Sequence, residues 1–250
     1  MPIIPAVSGK PLAVSCLCVT EARAAFLPWL YWNYQKQAYR HRELIVVDAG
    51  GDGSLLPSAA GARVLHCPPG TSVARKRNLA LEAARGDVVA WFDDDDWQHP
   101  RRLSLLVAGL GDGAALAGSL ESWFVDLARG RARAHRSQRS VLFNGLGVRR
   151  DALDGARFDE RRARAADTAW LAQVGRAAGG APVIVPAVLS FWLCHRDNLS
   201  NPARRYVFPH PLAAVREAVG ERFWGETEAQ LDALRARLGS AGDARPGTRG

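Results

Sequence analysis

The chain has 250 residues, 48% hydrophobic and 23% charged, which is the composition of an ordinary soluble globular protein of one domain or one plus an appendage. Its net charge of +8 comes almost wholly from arginine, since Lys10, Lys36 and Lys76 are the only lysines. A surface of that sign suits an anionic ligand or an anionic membrane. No nucleic-acid recognition motif is present. No run reaches the ~18 apolar residues of a membrane span, and Met1-Pro-Ile-Ile-Pro5 lacks a signal-peptide pattern. Nucleic acid and an integral membrane segment are therefore not expected, and a cytoplasmic setting is.

In chain order, Leu12 to Val19 is an apolar run that predicts a buried strand. Cys16 and Cys18 within it share one face, a core feature without the partners of a zinc site. Phe26 to Gln37 predicts a helix with Pro28 near its start. Glu43 to Asp48 is a second apolar run, followed by a turn at Gly50, Gly51 and Gly53, and Val64 to Cys67 is a brief third strand. Ser72 to Arg85 has helical periodicity, with Gly86 placed to cap it. Val88 to Phe92 then runs directly into Asp93, Asp94, Asp95 and Asp96. This alternation predicts an α/β fold with a mainly parallel sheet. Ligands bind such sheets beyond the carboxyl ends of the strands, where Asp48 and the aspartate run both fall.

The second half is less regular. Ala117 to Asp126 and Ala132 to Arg136 read as a hairpin across Arg129-Gly130-Arg131, and Phe143 to Val148 as a glycine loop feeding a strand. Thr168 to Val174 starts a helix with Asp167 as its N-cap, and Val183 to Cys194 is an apolar run ending at His195. Pro211 to Leu238 is a helical appendage, and Gly239 to Gly250 is expected to be disordered.

Four adjacent carboxylates raise one another's pKa unless a positive group neutralises them. A divalent cation does this through oxygen ligands and can then bridge phosphate oxygens. In an extended segment Asp93 and Asp95 fall on one side, Asp94 and Asp96 on the other.

The segments Val14-Ser-Cys-Leu-Cys-Val-Thr20, Glu43-Leu-Ile-Val-Val-Asp48, Ala74-Arg-Lys-Arg-Asn78, Gly86-Asp87 and Trp91-Phe-Asp-Asp-Asp-Asp-Trp97 occur in that order. Together they resemble the nucleotide-binding half of family 2 glycosyltransferases of the GT-A fold. The resemblance is continuous over residues 12 to 105 and recurs in patches to residue 205. It implies a Rossmann-like, mainly parallel sheet flanked by helices. Residues 1–105 would be the nucleotide-binding half of one GT-A domain and 106–205 its acceptor half, with 206–238 a helical appendage and 239–250 a tail.

The resemblance also implies roles. Asp93 and Asp95 match the family's DxD carboxylates, with Asp95 as metal ligand. Thr20, Glu21, Asp48, Arg77, Asp93 and Asp94 would bind the donor nucleotide, Asp48 near the base and Arg77 against the phosphates. The stretch around Phe158 to Trp170 is similar to that holding the family's ED motif, so Asp167 would be the general base. His195-Arg-Asp-Asn198-Leu-Ser200 resembles a C-terminal H-x-x-N-x-S patch, whose histidine can complete a metal shell. The cofactor would be Mn²⁺ or Mg²⁺; a carboxylate with an imidazole favours Mn²⁺. Gly145, Gly147 and Trp170 would lie near the acceptor or sugar. Trp123, Trp170 and Trp192 are candidates equally for stacking on a sugar or aromatic scaffold and for a place in the core.

Three positions depart from the family pattern: Thr20-Glu21-Ala22 stands where Thr-Tyr-Asn is usual, Asp48-Ala49 replaces DD, and Ala166 replaces the Glu of ED. The first two fall where base and ribose are held, so the nucleobase is open. The expected reaction is inverting, metal-dependent transfer from a nucleoside-diphosphate sugar to a hydroxyl of a small acceptor. The acceptor's identity and the oligomeric state are not encoded in any motif. Two rival readings stand beside it. A catalytically silent sugar-nucleotide binder is suggested by Ala22, Ala49 and Ala166. A nucleotidyltransferase ranks lower, because Thr20 to Phe26 lacks its glycine-rich basic loop.

Overall fold

A computed structural model describes residues 11–56, 61–111, 113–162, 165–195, 198 and 206–243. The first half runs β1 (Val14–Thr20), α1 (Leu27–Gln35), β2 (Arg42–Asp48), β3 (Ala62–His66), α2 (Val73–Ala83) and β4 (Val88–Trp91). The chain continues through β5 (Asp96–Gln98), α3 (Arg102–Leu110), β6 (Leu116–Gly118), β7 (Glu121–Asp126), β8 (Arg131–Arg136) and β9 (Leu146–Arg149). It closes with α4 (Ala166–Ala178), β10 (Val183–Ile184), β11 (Ser190–Cys194), β12 (His210–Pro211), α5 (Leu212–Val219) and α6 (Glu221–Asp243).

Two sheets organise these elements. The larger has the order β10-β6-β9-β4-β1-β2-β3, with β4, β1, β2 and β3 mutually parallel and β9 antiparallel to both its neighbours. The smaller has the order β12-β8-β7-β11-β5. β4 lies in the first sheet and β5 in the second, so the aspartate run is the link between them.

The uninterrupted apolar runs follow from burial on both faces. On one face Cys16, Cys18, Leu44, Val46 and Ala90 pack with Leu30, Leu103 and Leu106 of α1 and α3. On the other, Leu17, Ile45, Val47, Val89 and Trp91 pack with Ala80 of α2 and with Trp170 and Val174 of α4. Register brings Thr20 opposite Asp48, and Asp48 opposite His66, at the carboxyl edge.

Several elements differ from the sequence expectation, each for a physical reason. Gly86 does not cap α2, which ends at Ala83 with Ala84 extended. A Cβ at Gly86 would lie 2.6 Å from the Ser15 nitrogen, so glycine serves the close approach to β1 instead. The two runs read as single strands each divide between the sheets. Residues 116–118 join the first sheet and 121–126 the second, and Val183–Ile184 and Ser190–Cys194 divide in the same way. Ser119 fastens the crossing, its hydroxyl donating to the Ala187 carbonyl at 2.6 Å. The β7–β8 hairpin forms across Gly130, whose φ is +61°.

The C-terminal helices are more than an appendage, because Val215, Val219, Trp224, Leu231 and Leu234 complete a third core with Trp97, Val125, Phe191 and Leu193 of the second sheet. Gly220, at φ +96°, separates α5 from α6. Residues 239–243, expected to be disordered, continue α6; residues 1–10 and 244–250 lie outside the described residues. Among the described residues, no helix is long and apolar enough to cross a membrane.

Candidate active site

The site forms where β4 ends. Phe92 anchors the strand end in the core, and the Asp96 N–H donates to the Asp93 carbonyl at 3.3 Å, turning the chain between the sheets. The four carboxylates then part company. Asp94 and Asp96 point into the protein, with exposures of 1% and 3%, whereas the Asp93 and Asp95 side chains keep 25% and 14%. Asp94 accepts from the Thr20 hydroxyl at 2.7 Å, and Asp96 from the Asn144 amide at 3.2 Å.

Asp95 is the most heavily solvated by protein. Its Oδ2 lies 2.5 Å from Arg23, 3.2 Å from His195 Nε2 and 3.3 Å from the Asn198 amide. The second arm of Arg23 reaches Asp94 at 2.8 Å, and its guanidinium sits 4.6 Å over the Phe26 ring. Phe26 also packs against the His195 ring, at a centroid distance of 4.6 Å.

These contacts sort the carboxyls electrostatically. Burial raises the pKa of Asp94 to about 7 against the opposing charge of Arg23. Burial also opposes ionisation of Asp95, but the His195 hydrogen bond and the Arg23 charge overcome it and hold that carboxyl at about 2. Burial raises Asp93 and Asp96 as well. Asp95 is thus the fixed anion of the run.

Arg77 lies beside the run, 3.9 Å from Asp93. Three rings hold its guanidinium: Phe143 at 4.5 Å, Phe158 at 5.3 Å and Trp91 at 5.6 Å. Asn78 locks the Phe158 segment in place by donating to its carbonyl at 3.0 Å and accepting from its N–H at 2.9 Å. Trp170 of α4 stacks on the Phe158 ring at 5.1 Å, which sets the start of that helix beside the Arg77 cage. Asp167 is half-buried there, close enough that its charge adds to the burial-driven rise at Asp93.

The remaining expected residues are placed as follows. Asp167 is not the N-cap of α4; Ala165, at φ +53°, takes that position, and Asp167 lies in the first turn. Trp170 is wholly buried, stacked on Phe158 at 5.1 Å, so it supports the Arg77 cage and offers no open stacking face. Gly147 lies in β9 against Leu106 and Val88, a core position, while Gly145 is buried beside Ser119. Asp48 is fully buried, and both its oxygens accept loop N–H groups, from Gly50 at 2.8 Å and Gly53 at 2.7 Å. It shapes the loop after β2 and turns no oxygen to the opening. Glu21 binds Lys76 and the Gly70 N–H, each at 2.7 Å, tying the loop before α2 to β1. Trp123 packs edge-on to His210, and Trp192 stacks on Phe124 at 4.6 Å. Ser200 lies outside the described residues.

Arg23, Asn144 and the Phe143–Phe158 cage were not singled out from the sequence. The partners of Arg23 are 72 and 172 residues away, and no local spacing announces them. Asn198 was visible in the His195–Asn198 spacing, without a role. The fit of a divalent cation rests on Asp95 and His195, a carboxylate with an imidazole. Among the described residues no group of three or more His, Cys, Asp or Glu side chains is arranged to hold a metal. The pair is a two-residue donor set, and a cation held there would need further oxygen donors from outside these side chains.

Known proteins share this architecture. The mannosyltransferase PcManGT from Pyrobaculum calidifontis, solved with GDP-Man and Mn2+, matches with a TM-score of 0.59 at 15% identity over 97% of this chain and 80% of that one. S. aureus TarS 1–349 in complex with UDP-GlcNAc matches at TM-score 0.57 and 16% identity, over 78% of this chain and 62% of that one. The longer S. aureus TarS structure matches at TM-score 0.57 and 16% identity over 72% of this chain, which spans only 36% of its length. At such identities these likenesses establish the fold, which is GT-A. No curated protein sequence matches significantly. The family model described as glycosyl transferase family 2 matches residues 18–156, more than half of the chain, from the end of β1 through the aspartates to beyond β9, and the chain belongs to that family.

Proposed function

We propose that this chain is an inverting glycosyltransferase that moves a sugar from a nucleoside-diphosphate donor to a hydroxyl of a small acceptor. The observation that carries this reading is the meeting of Asp93, Asp95 and Arg77 at the carboxyl end of β4, with Asp167 in the first turn of the helix whose Trp170 packs on the Arg77 cage. The donor diphosphate would lie across Arg77, whose aromatic cage leaves its guanidinium little freedom and aims it at the mouth. Asp93 would meet the ribose side of the donor, with Thr20, Asp48 and Glu21 shaping the wall behind it. Asp95 and His195 would hold a divalent cation, Mn²⁺ or Mg²⁺, which when bound supplies Lewis-acid stabilisation of the departing diphosphate. Asp167 would accept the acceptor's hydroxyl proton while that oxygen attacks the anomeric carbon from the opposite face.

The similar structures hold GDP-Man and UDP-GlcNAc. Both bases are therefore the first to test in a protein whose base-side residues Glu21, Ala22 and Ala49 are its own. Calorimetric titration with UDP and GDP, each with Mn²⁺, tests the donor site directly. The expected result is saturable binding of one of them that Asp95→Asn weakens. Binding of neither would remove the basis for a donor site at the aspartates.

A further inference from the structure

The cation position of the proposed donor site already contains a positive group. One terminal nitrogen of Arg23 lies 2.5 Å from Asp95 Oδ2 and 3.2 Å from His195 Nε2, the two side chains offered to a metal. Its other nitrogen is 2.8 Å from Asp94 Oδ1. A divalent cation and a guanidinium cannot share that space, and like charges a few ångströms apart repel strongly in a partly buried site.

The placement is built into the backbone. Ala22 sits at φ +51°, a strained conformation for alanine, and this turns the chain sharply after β1. Gly50 presses so close that a Cβ there would be 2.2 Å from the Ala22 nitrogen. Phe26 supports the guanidinium from below at 4.6 Å. The Arg23 side chain nevertheless keeps 22% of its surface exposed, beside its contact to buried Asp94.

We infer that Arg23 is the resident counter-cation of the aspartates and couples cation binding to diphosphate binding. A bare cation meets an occupied position. A cation that arrives with a diphosphate brings anionic oxygens to which the freed arm of Arg23 can transfer, so the exchange conserves its ion pairing. Arg23 is then a positioning residue that enforces joint entry of cation and nucleotide. This inference rests on the proposed donor site, and its test separates the two.

The experiment is calorimetric titration of the full chain and of Arg23→Met with Mn²⁺ alone, and again with UDP or GDP present. Mn²⁺ alone is expected to bind Arg23→Met about tenfold or more tighter than wild type, since the competing charge is gone. With nucleoside diphosphate present the advantage should vanish, because the variant has lost a diphosphate contact. Thermal denaturation gives a second readout: Mn²⁺ alone should raise the Tm of Arg23→Met and leave that of wild type nearly unchanged. Equal binding of Mn²⁺ alone by both proteins, together with intact binding in the presence of nucleotide, overturns the role of Arg23 and leaves the donor site standing. Absence of Mn²⁺ binding in either protein, even with both nucleotides tried, overturns the cation site itself and this inference with it.

Discussion

Asp167 and Asp95 are both carboxylates at the opening, yet their surroundings suit them to different work. Asp95 is held ionised by His195 and Arg23, with its pKa at about 2, which makes it a poor proton acceptor and a good partner for a cation. Asp167 accepts the Thr168 N–H at 2.8 Å and stands half-buried in the first turn of α4. Replacing Asp167 with Asn is expected to lower kcat by ~10²–10⁴-fold while leaving donor affinity nearly unchanged. Steady-state kinetics beside a donor titration would check this, and unchanged turnover would remove Asp167 from the base role. For Trp170 the sequence allowed a stacking surface or a core position. It is buried against Phe158 and Trp91, so Trp170→Ala should cost about 3–5 kcal/mol of stability, measurable by urea denaturation.

At the level of elements, the strands of the first half were legible because their information is local. Continuous apolar runs mark strands buried on both faces, and such runs occupy β1, β2 and β4, the last two leading into carboxylates. The divided strands were not legible. Nothing in 116–126 marks Ser119 as a crossing point, because its partner is the Ala187 carbonyl, 68 residues away. Gly86 looked like a cap because it follows a helix, but its neighbour is β1, in contact only after folding. Gly86→Ala should therefore destabilise the fold by about 1–3 kcal/mol through overpacking. An unchanged denaturation midpoint would show that the β1 approach tolerates a methyl group.

The packing of the C-terminal helices also carries a pH signature. His99 lies between Trp97 and Phe223, and burial lowers its pKa from 6.5 to about 4. The folded state therefore binds fewer protons at this site than the unfolded chain between these values. Its contribution to stability is intact above pH 6.5 and is lost as the pH falls toward 4. His99→Gln should flatten the stability profile in that window, as followed by denaturation at stepped pH. An identical slope in both proteins would assign the acid sensitivity elsewhere.

For the whole molecule, the proposed function concentrates at the link between the two sheets. The aspartate run joins β4 of the first sheet to β5 of the second, and Arg23, Arg77 and His195 reach it from three separate parts of the chain. The carboxylates could be read from the sequence because they are contiguous; the arginine that neutralises them could not, because only folding brings it there. Donor turnover at this junction would be read out as release of nucleoside diphosphate from UDP-GlcNAc and GDP-Man with Mn²⁺ present, comparing wild type with Asp95→Asn. The expected result is release from one donor by wild type, reduced at least ~10²-fold in the variant. Equal release by both proteins, or none from either donor by wild type, would contradict it.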